Sequence, residues 1–315
     1  MKKQEIIVGA RGSLLSVTQA QGLIRSLKRK LPRHSFLLKK ITTFGDKAKD
    51  WQRLEVGIFV KELEDALLRN EIDIAVHSVK DLPSSLPKGL SLAAIPRRQD
   101  PRDCVITRRR ATLLKLKRNA IIGTSSLRRA AQCLALRPDI QIKDLRGNVD
   151  TRIKKLLSGE YEALIIALAA LKRLGYKAPL AYMGKERFFI QPLPIGLMTP
   201  ACGQGALGVE IRSDNQKARF VAKAINDDKS FLRVQCERVF LKEFGAGCRI
   251  PLGALAKIRG RQIHLSIMVA RSDGKKIVRF SRKADIKDAE VLAKQTAREV
   301  FKRADKDILE GVGKL

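Results

Sequence analysis

Disulfides, metal clusters and membrane spans all find little support in this chain. Its 315 residues include five cysteines, Cys104, Cys133, Cys202, Cys236 and Cys248, an odd number with no C-x-x-C pair. That pattern argues against both a disulfide framework and a zinc cage. The three histidines, His34, His77 and His264, are too scattered to suggest a metal site, and none is expected. The longest apolar run, residues 163–171, falls far short of a bilayer span. Met1-Lys2-Lys3 is followed by only a few apolar residues before Gly9 and Arg11, too little for a secretory leader, so a cytoplasmic location is expected. Aromatic residues make up only 5% of the chain, and no R-G-F stacking motif, C2H2 spacing or basic heptad region occurs. G-x-x-x-x-G-K-[ST] is absent too, and G-x-G-x-x-G occurs at 203–208, leading into the apolar run 206–211 rather than opening a helix after a strand as in a Rossmann unit, so nucleotide is not the favoured anion.

What is present in excess is positive charge. The formal net charge is +32, which raises the expectation of a polyanionic partner. Its distribution tempers that reading: residues 218–315 hold 23 Lys/Arg and 12 Asp/Glu, so the excess is spread nearly evenly and there is no basic tail. A basic surface without specific nucleic-acid recognition is the expectation. Short β-branched runs at 5–8, 36–41, 72–76, 90–95, 104–107, 120–123, 140–145 and 164–167 alternate with helical periodicity at 13–30, 60–68, 126–136 and 149–157. This is the pattern of parallel α/β layers. Proline and charge cluster at 96–101 and 191–200, where periodicity lapses, and mark two crossings between domains. A buried strand at 206–211 fits a return to the first domain. The remainder reads helix (231–244), strands (253–258, 264–270, 276–280), helix (288–303), an α+β unit.

Arginines recur at strand-to-helix junctions: Ala10-Arg11-Gly12-Ser13, Gly123-Thr124-Ser125-Ser126-Leu127-Arg128-Arg129, and Leu145-Arg146-Gly147-Asn148-Val149-Asp150-Thr151-Arg152. In parallel sheets such junctions gather at the carboxyl edge, where helix N-termini favour anions. For any single Ser or Thr there, capping the helix is the simpler role. Three arginine-bearing junctions together suggest a cleft for several carboxylates or phosphates, because the guanidinium fork pairs bidentately with both. One acid stands among these bases, Asp81, in the turn after Asp73-Ile74-Ala75-Val76-His77-Ser78-Val79-Lys80. It can stabilise a developing positive charge or shuttle a proton, or simply cap the turn before Pro83. Cys248 lies in Phe244-Gly245-Ala246-Gly247-Cys248-Arg249-Ile250-Pro251. A flexible backbone and a neighbouring arginine suit a reactive thiolate, while a small inert core residue is the competing reading.

Together with residues 59–64, Asp100-Pro101-Arg102-Asp103, Leu171-Lys172-Arg173-Leu174-Gly175 and Gly203-Gln204-Gly205-Ala206-Leu207, these segments closely resemble the porphobilinogen deaminase (hydroxymethylbilane synthase) family, nearly end to end. The resemblance implies an α/β fold of three domains. Two are α/β domains like those of periplasmic binding proteins (1–96 with 200–215, and 101–192), joined by two hinge crossings, and the third is a smaller α+β domain at 218–315 bearing the cofactor cysteine. It implies a dipyrromethane cofactor held through a thioether at Cys248. The implied reaction joins four porphobilinogen molecules head to tail with loss of ammonia, and hydrolysis then releases hydroxymethylbilane. Asp81 matches the catalytic aspartate. Arg11, Ser13, Lys80, Thr124, Ser126, Arg128, Arg129, Arg146, Arg152 and Arg173 match positions binding the acetate and propionate groups, and Ser78, Gln204 and Gly205 lie near the substrate. The partners implied are porphobilinogen and oligopyrrole intermediates, with no membrane and a monomeric state. Val56 stands where a lysine is common, Ala246 where glycine is usual, and Cys202 where an apolar residue is usual. A non-catalytic anion-binding module and a nucleic-acid-binding protein remain the rival readings.

Overall fold

A computed structural model describes residues 4–42, 60–245, 250–304 and 306–309. In chain order the elements are β1 (Gln4–Arg11), α1 (Leu14–Lys30), β2 (His34–Ile41), α2 (Lys61–Leu68), β3 (Ile74–Ser78), β4 (Leu90–Ala94), β5 (Asp103–Thr107), β6 (Ile121–Gly123), α3 (Leu127–Leu136), β7 (Gln141–Lys143), α4 (Val149–Leu157), β8 (Ala163–Ala167) and α5 (Leu168–Arg173). They continue with β9 (Leu180–Met183), β10 (Glu186–Pro192), β11 (Leu207–Arg212), α6 (Gln216–Lys223), α7 (Asp228–Phe244), β12 (Leu252–Arg259), β13 (Gln262–Ala270), β14 (Ile277–Asp285), α8 (Ala289–Arg303) and α9 (Lys306–Leu309). The strands form three sheets, ordered β2-β1-β3-β11-β4, β7-β6-β8-β5-β10-β9 and β12-β13-β14.

The first two sheets are built alike. In each, three parallel strands (β2-β1-β3 and β7-β6-β8) are followed by one antiparallel strand, β11 or β5, supplied where the chain crosses from one sheet to the other. The physical basis is burial on both faces. Strands β5 and β8 are buried along their whole length, and their near-continuous apolar sequences suit a sheet covered on both sides. In the first sheet, Ile6, Val8, Ile74, Val76, Val209 and Ile211 pack against Leu23 and Leu27 of α1 and Val221 and Ala222 of α6. Leu63 and Leu67 of α2 cover the other face over Ile72 and Ala75. The third sheet is an antiparallel meander with α8 packed across it, and the alternating burial of β14 marks one wet face. The mixed α/β fold with a smaller C-terminal α+β part agrees with the sequence expectation.

The chain divides into two compact units, residues 1–99 with 206–232, and residues 100–205 with 233–315. Within the second unit the meander is stitched to the crossing at 199–205. Ala254 N donates to Pro200 O at 3.0 Å, and a Cβ at Gly253 would come within 2.8 Å of Thr199 O, so only glycine allows this approach. The fully buried Glu237 of α7 accepts from Gly203 N at 2.7 Å and from Ala256 N at 2.8 Å. Sequence periodicity missed β9, β10, α5 and α6. All four are short, and β10 runs on through Gln191-Pro192, where proline signalled a crossing; Pro192 ends the strand, a position that tolerates a missing N–H.

Candidate functional site

In the first unit the parallel strands β1 and β3 end at one edge. Arg11 closes β1, and Ser13 caps α1, its Oγ accepting from Ser16 N at 3.3 Å. The capping role weighed for this serine is therefore real. Ser78 closes β3, and its Oγ accepts from Gln19 Nε2 at 3.3 Å. The chain then makes a 3-10 turn, Val79–Asp81, closed by Leu82 N donating to Val79 O at 3.1 Å. Val79 N donates to Ala206 O at 3.1 Å, so β11 laces this strand up to the turn itself. Lys80 and Asp81 stand exposed on it. The same unit buries three ionisable side chains, Glu64 of α2, His77 of β3 and Glu210 of β11. His77 Nε2 approaches Glu210 Oε2 to 2.9 Å. Burial, then the Glu210 carboxylate, push the Glu64 carboxyl up to about 7, against an opposing pull from His77.

In the second unit the parallel set β7-β6-β8 presents a corresponding edge. Thr124 is buried, and its Oγ1 accepts from Ser126 N at 3.2 Å. Ser126 is the N-cap residue of α3, yet its own hydroxyl makes no cap bond. Ser125 Oγ donates to Leu145 O at 2.7 Å and accepts from Leu145 N at 3.1 Å, locking the loop after β7 to the loop after β6. Arg146 Nε donates to Asp144 Oδ2 at 2.7 Å, and Arg152 Nε to Gly147 O at 2.7 Å. Burial would raise the Asp144 carboxyl, but hydrogen bonds from Ser125 and Arg146 outweigh it and hold it below the usual range.

The densest polar network of this unit surrounds Asp103, the first residue of β5, paired with Ala167 at the end of β8. Asp103 is fully buried, and Arg128 and Arg129 are only 6% and 7% exposed. Arg128 Nη1 donates to Asp103 Oδ2 at 2.7 Å and to Thr199 O at 2.6 Å. Arg129 Nε donates to Asp103 Oδ1 at 2.9 Å, its Nη2 lies 2.8 Å from the same oxygen, and its Nη1 donates to Ile165 O at 3.1 Å. Gln204 Nε2 adds bonds to Asp103 Oδ1 at 3.1 Å and Pro101 O at 2.7 Å. Gly203 and Gly205 flank Gln204 with φ of +70° and +86°, left-handed backbone that glycine supplies without strain. Arg173 Nη2 donates to Gly205 O at 2.8 Å. Burial alone would push the Asp103 carboxyl up; Arg128, then Arg129, outweigh it and bring it down to about 2.

Of the residues singled out from sequence, Arg128, Arg129 and Gln204 meet in this network, with Arg173 and Gly205 beside it. Thr124, Ser126, Arg146 and Arg152 follow β6 and β7 at the same edge, and Arg11, Ser13, Ser78, Lys80 and Asp81 sit at the edge of the first unit. Cys248 lies outside the described residues, as do Val56, Ala246 and residue 59. Sequence reasoning saw one acid among the bases, Asp81, and missed Asp103. Its signal was a charged residue opening the apolar run Cys104-Val105-Ile106, two positions after Pro101. It also missed Glu210 and Glu237, acids that are fully buried.

Comparison with known proteins matches residues 6–220 to a family model described as "Porphobilinogen deaminase, dipyromethane cofactor binding domain". Residues 231–302 match its C-terminal domain. The chain is 42% identical to a porphobilinogen deaminase of Thermus thermophilus over 96% of this chain and 98% of the relative. It is 40% identical to that of Alkaliphilus metalliredigens (98% and 95% covered) and 44% identical to that of Streptococcus sanguinis (85% and 87% covered). These matches, carried by a chain whose two parallel sheet edges are lined with arginine, place the protein in the porphobilinogen deaminase family.

Proposed function

We propose that Cys248 carries the primer as a thioether, that Asp81 is the catalytic residue, and that the basic residues at the two sheet edges bind the acetate and propionate groups. The last set comprises Arg11, Ser13, Lys80, Thr124, Ser126, Arg128, Arg129, Arg146, Arg152 and Arg173, with Ser78, Gln204 and Gly205 near the substrate. The reaction is that of a hydroxymethylbilane synthase, a transferase: four porphobilinogen molecules are joined head to tail with loss of ammonia, and hydroxymethylbilane is released by hydrolysis. When bound, the dipyrromethane group supplies the pyrrole α-carbon from which the chain grows.

The observation that carries the reading is the charge balance around Asp103. Two buried guanidiniums share one carboxylate, so the network has one positive charge in hand and suits a ligand carboxylate. Each porphobilinogen brings two carboxylates, and an unpaired buried carboxylate costs several kcal/mol. The arginines therefore do the work of keeping an accumulating polyanion bound. Asp81 stands on a turn fixed by the β3–β11 ladder and open to solvent. From there its carboxylate can accept a pyrrole N–H and stabilise positive charge as ammonia departs. Asp81→Asn is expected to keep the covalent cofactor while turnover falls by about a hundredfold or more; loaded Asp81→Asn enzyme with normal turnover would remove Asp81 from the mechanism.

The three sheets support a division into three folding domains. The proposed bounds are 1–96 with 200–215, 101–192 and 218–315; at the start of the last, Ala218, Val221, Ala222 and Ile225 pack in the first core. No helix among the described residues is long and apolar enough to cross a membrane. A cytoplasmic location is supported by the free thiols at Cys104, Cys133, Cys202 and Cys236, which suit a reducing compartment. A monomer is supported by a net charge of +32, which opposes self-association.

A further inference from the structure

Asp103 touches the arginine pair in a way that packing alone does not require. Each of its oxygens is committed to a different guanidinium, Oδ2 to Arg128 and Oδ1 to Arg129, and Gln204 reaches the second oxygen as well. Both guanidiniums also donate to backbone carbonyls, Arg128 to Thr199 O from the same Nη1 that meets Asp103 and Arg129 to Ile165 O. Gln132 then fixes the Thr199 peptide, its Nε2 donating to Thr199 O at 3.2 Å and its Oε1 accepting from Thr199 N at 2.8 Å. These bonds together fix both guanidiniums against rotation.

We propose that Asp103 is the positioning residue of the Arg128–Arg129 pair, fixing both forks at the carboxyl edge of the second sheet while leaving one positive charge for a single acetate or propionate. The assignment rests on reading Arg128 and Arg129 as carboxylate binders. An aspartate suits this task because it is charged, short, and fully enclosed at the start of a buried strand. An asparagine keeps the shape and loses the charge-assisted bonds. A glutamate keeps the charge and displaces it by one methylene.

The test compares wild type, Asp103→Asn, Asp103→Glu, Arg129→Gln and Asp103→Asn/Arg129→Gln, all purified with whatever cofactor they have assembled. Intact mass reads cofactor occupancy, thermal unfolding reads fold, and kcat and KM for porphobilinogen are measured on the loaded fraction. Asp103→Asn is expected to lose at least about tenfold in occupancy or in kcat/KM, with the loaded fraction showing a raised KM more than a lowered kcat. In the Arg129→Gln background the same change should cost less than in wild type, because only the Arg128 fork is left for it to align. Asp103→Glu should recover part of the loss.

Should Asp103→Asn fail to fold, because two guanidiniums are left buried without a counter-charge, the double variant removes one of them and is expected to fold again. Wild-type occupancy and KM in folded Asp103→Asn, with Arg129→Gln impaired, would overturn the positioning role alone. So would losses that simply multiply in the double variant. Wild-type occupancy and KM in Arg129→Gln would instead overturn the carboxylate-binding reading beneath it, and Asp103's role with it.

Discussion

At the scale of single residues, the site depends on arginine as a planar fork and not as a point charge. Arg128 uses one Nη1 for both Asp103 Oδ2 and Thr199 O, and Arg129 sets Nε and Nη2 against one carboxylate oxygen. A lysine, with its donors on one nitrogen, cannot reproduce the two-nitrogen arrangement of Arg129. Arg129→Lys is accordingly expected to destabilise the fold by about 1 kcal/mol, the order of one lost hydrogen bond, and to lower cofactor occupancy even though the formal charge is unchanged. Chemical denaturation alongside intact mass checks both; a variant as stable and as fully loaded as wild type would show that charge alone suffices. Junction arginines were legible in the sequence because strand, glycine and basic residue follow one another at 8–12, 123–129 and 145–152. Their counter-ion was not: Asp103 lies 25 residues before Arg128, and nothing local in an Asp-Cys-Val-Ile-Thr strand says which cation its carboxylate will meet.

At the scale of elements, α2, β3 and β11 each contribute one member of the buried group Glu64, His77 and Glu210, and β3 runs on into the turn that carries Asp81. The Glu64 carboxyl is pushed up to about 7 from an ordinary value of 4.5. A folded-state value above the unfolded one means that stability is fully present below pH 4.5 and is lost as pH rises through 7. Wild type is therefore expected to lose stability between pH 5 and pH 8, by at most about 3 kcal/mol, and Glu64→Gln should flatten that dependence. Urea unfolding at pH 5, 6, 7 and 8 on both proteins reads the difference; equal pH profiles would contradict it. Periodicity found α1, α3 and α4 to within a residue, since each buries one stripe of a helix longer than two turns. Helix α5, six residues long, is too short for a stripe to emerge, and α6 declares itself through its packing on the first core.

At the scale of the molecule, a net charge of +32 exceeds what the cleft arginines account for. A positive field of this size draws anionic substrate toward basic edges and weakens with added salt. The value of kcat/KM for porphobilinogen is expected to fall severalfold between about 0.01 and 0.15 M ionic strength, across which the Debye length shrinks from about 30 to about 8 Å; a flat salt profile would confine the charge to a role in solubility. The division into two α/β sheets and a C-terminal α+β part was legible because each sheet repeats its own alternation of strand and helix. That the C-terminal meander shares a compact unit with the second sheet was not, for the bonds responsible, Glu237 to Gly203 and Ala254 to Pro200, join residues far apart in sequence. The account as a whole stands on a covalent primer at Cys248. Intact-mass measurement with an aldehyde colour test for pyrroles, on wild type and Cys248→Ser, tests it most directly. Wild type should carry a mass excess of one dipyrromethane and give the colour, with Cys248→Ser lacking both and inactive. Active wild-type enzyme with nothing attached to Cys248 would contradict it.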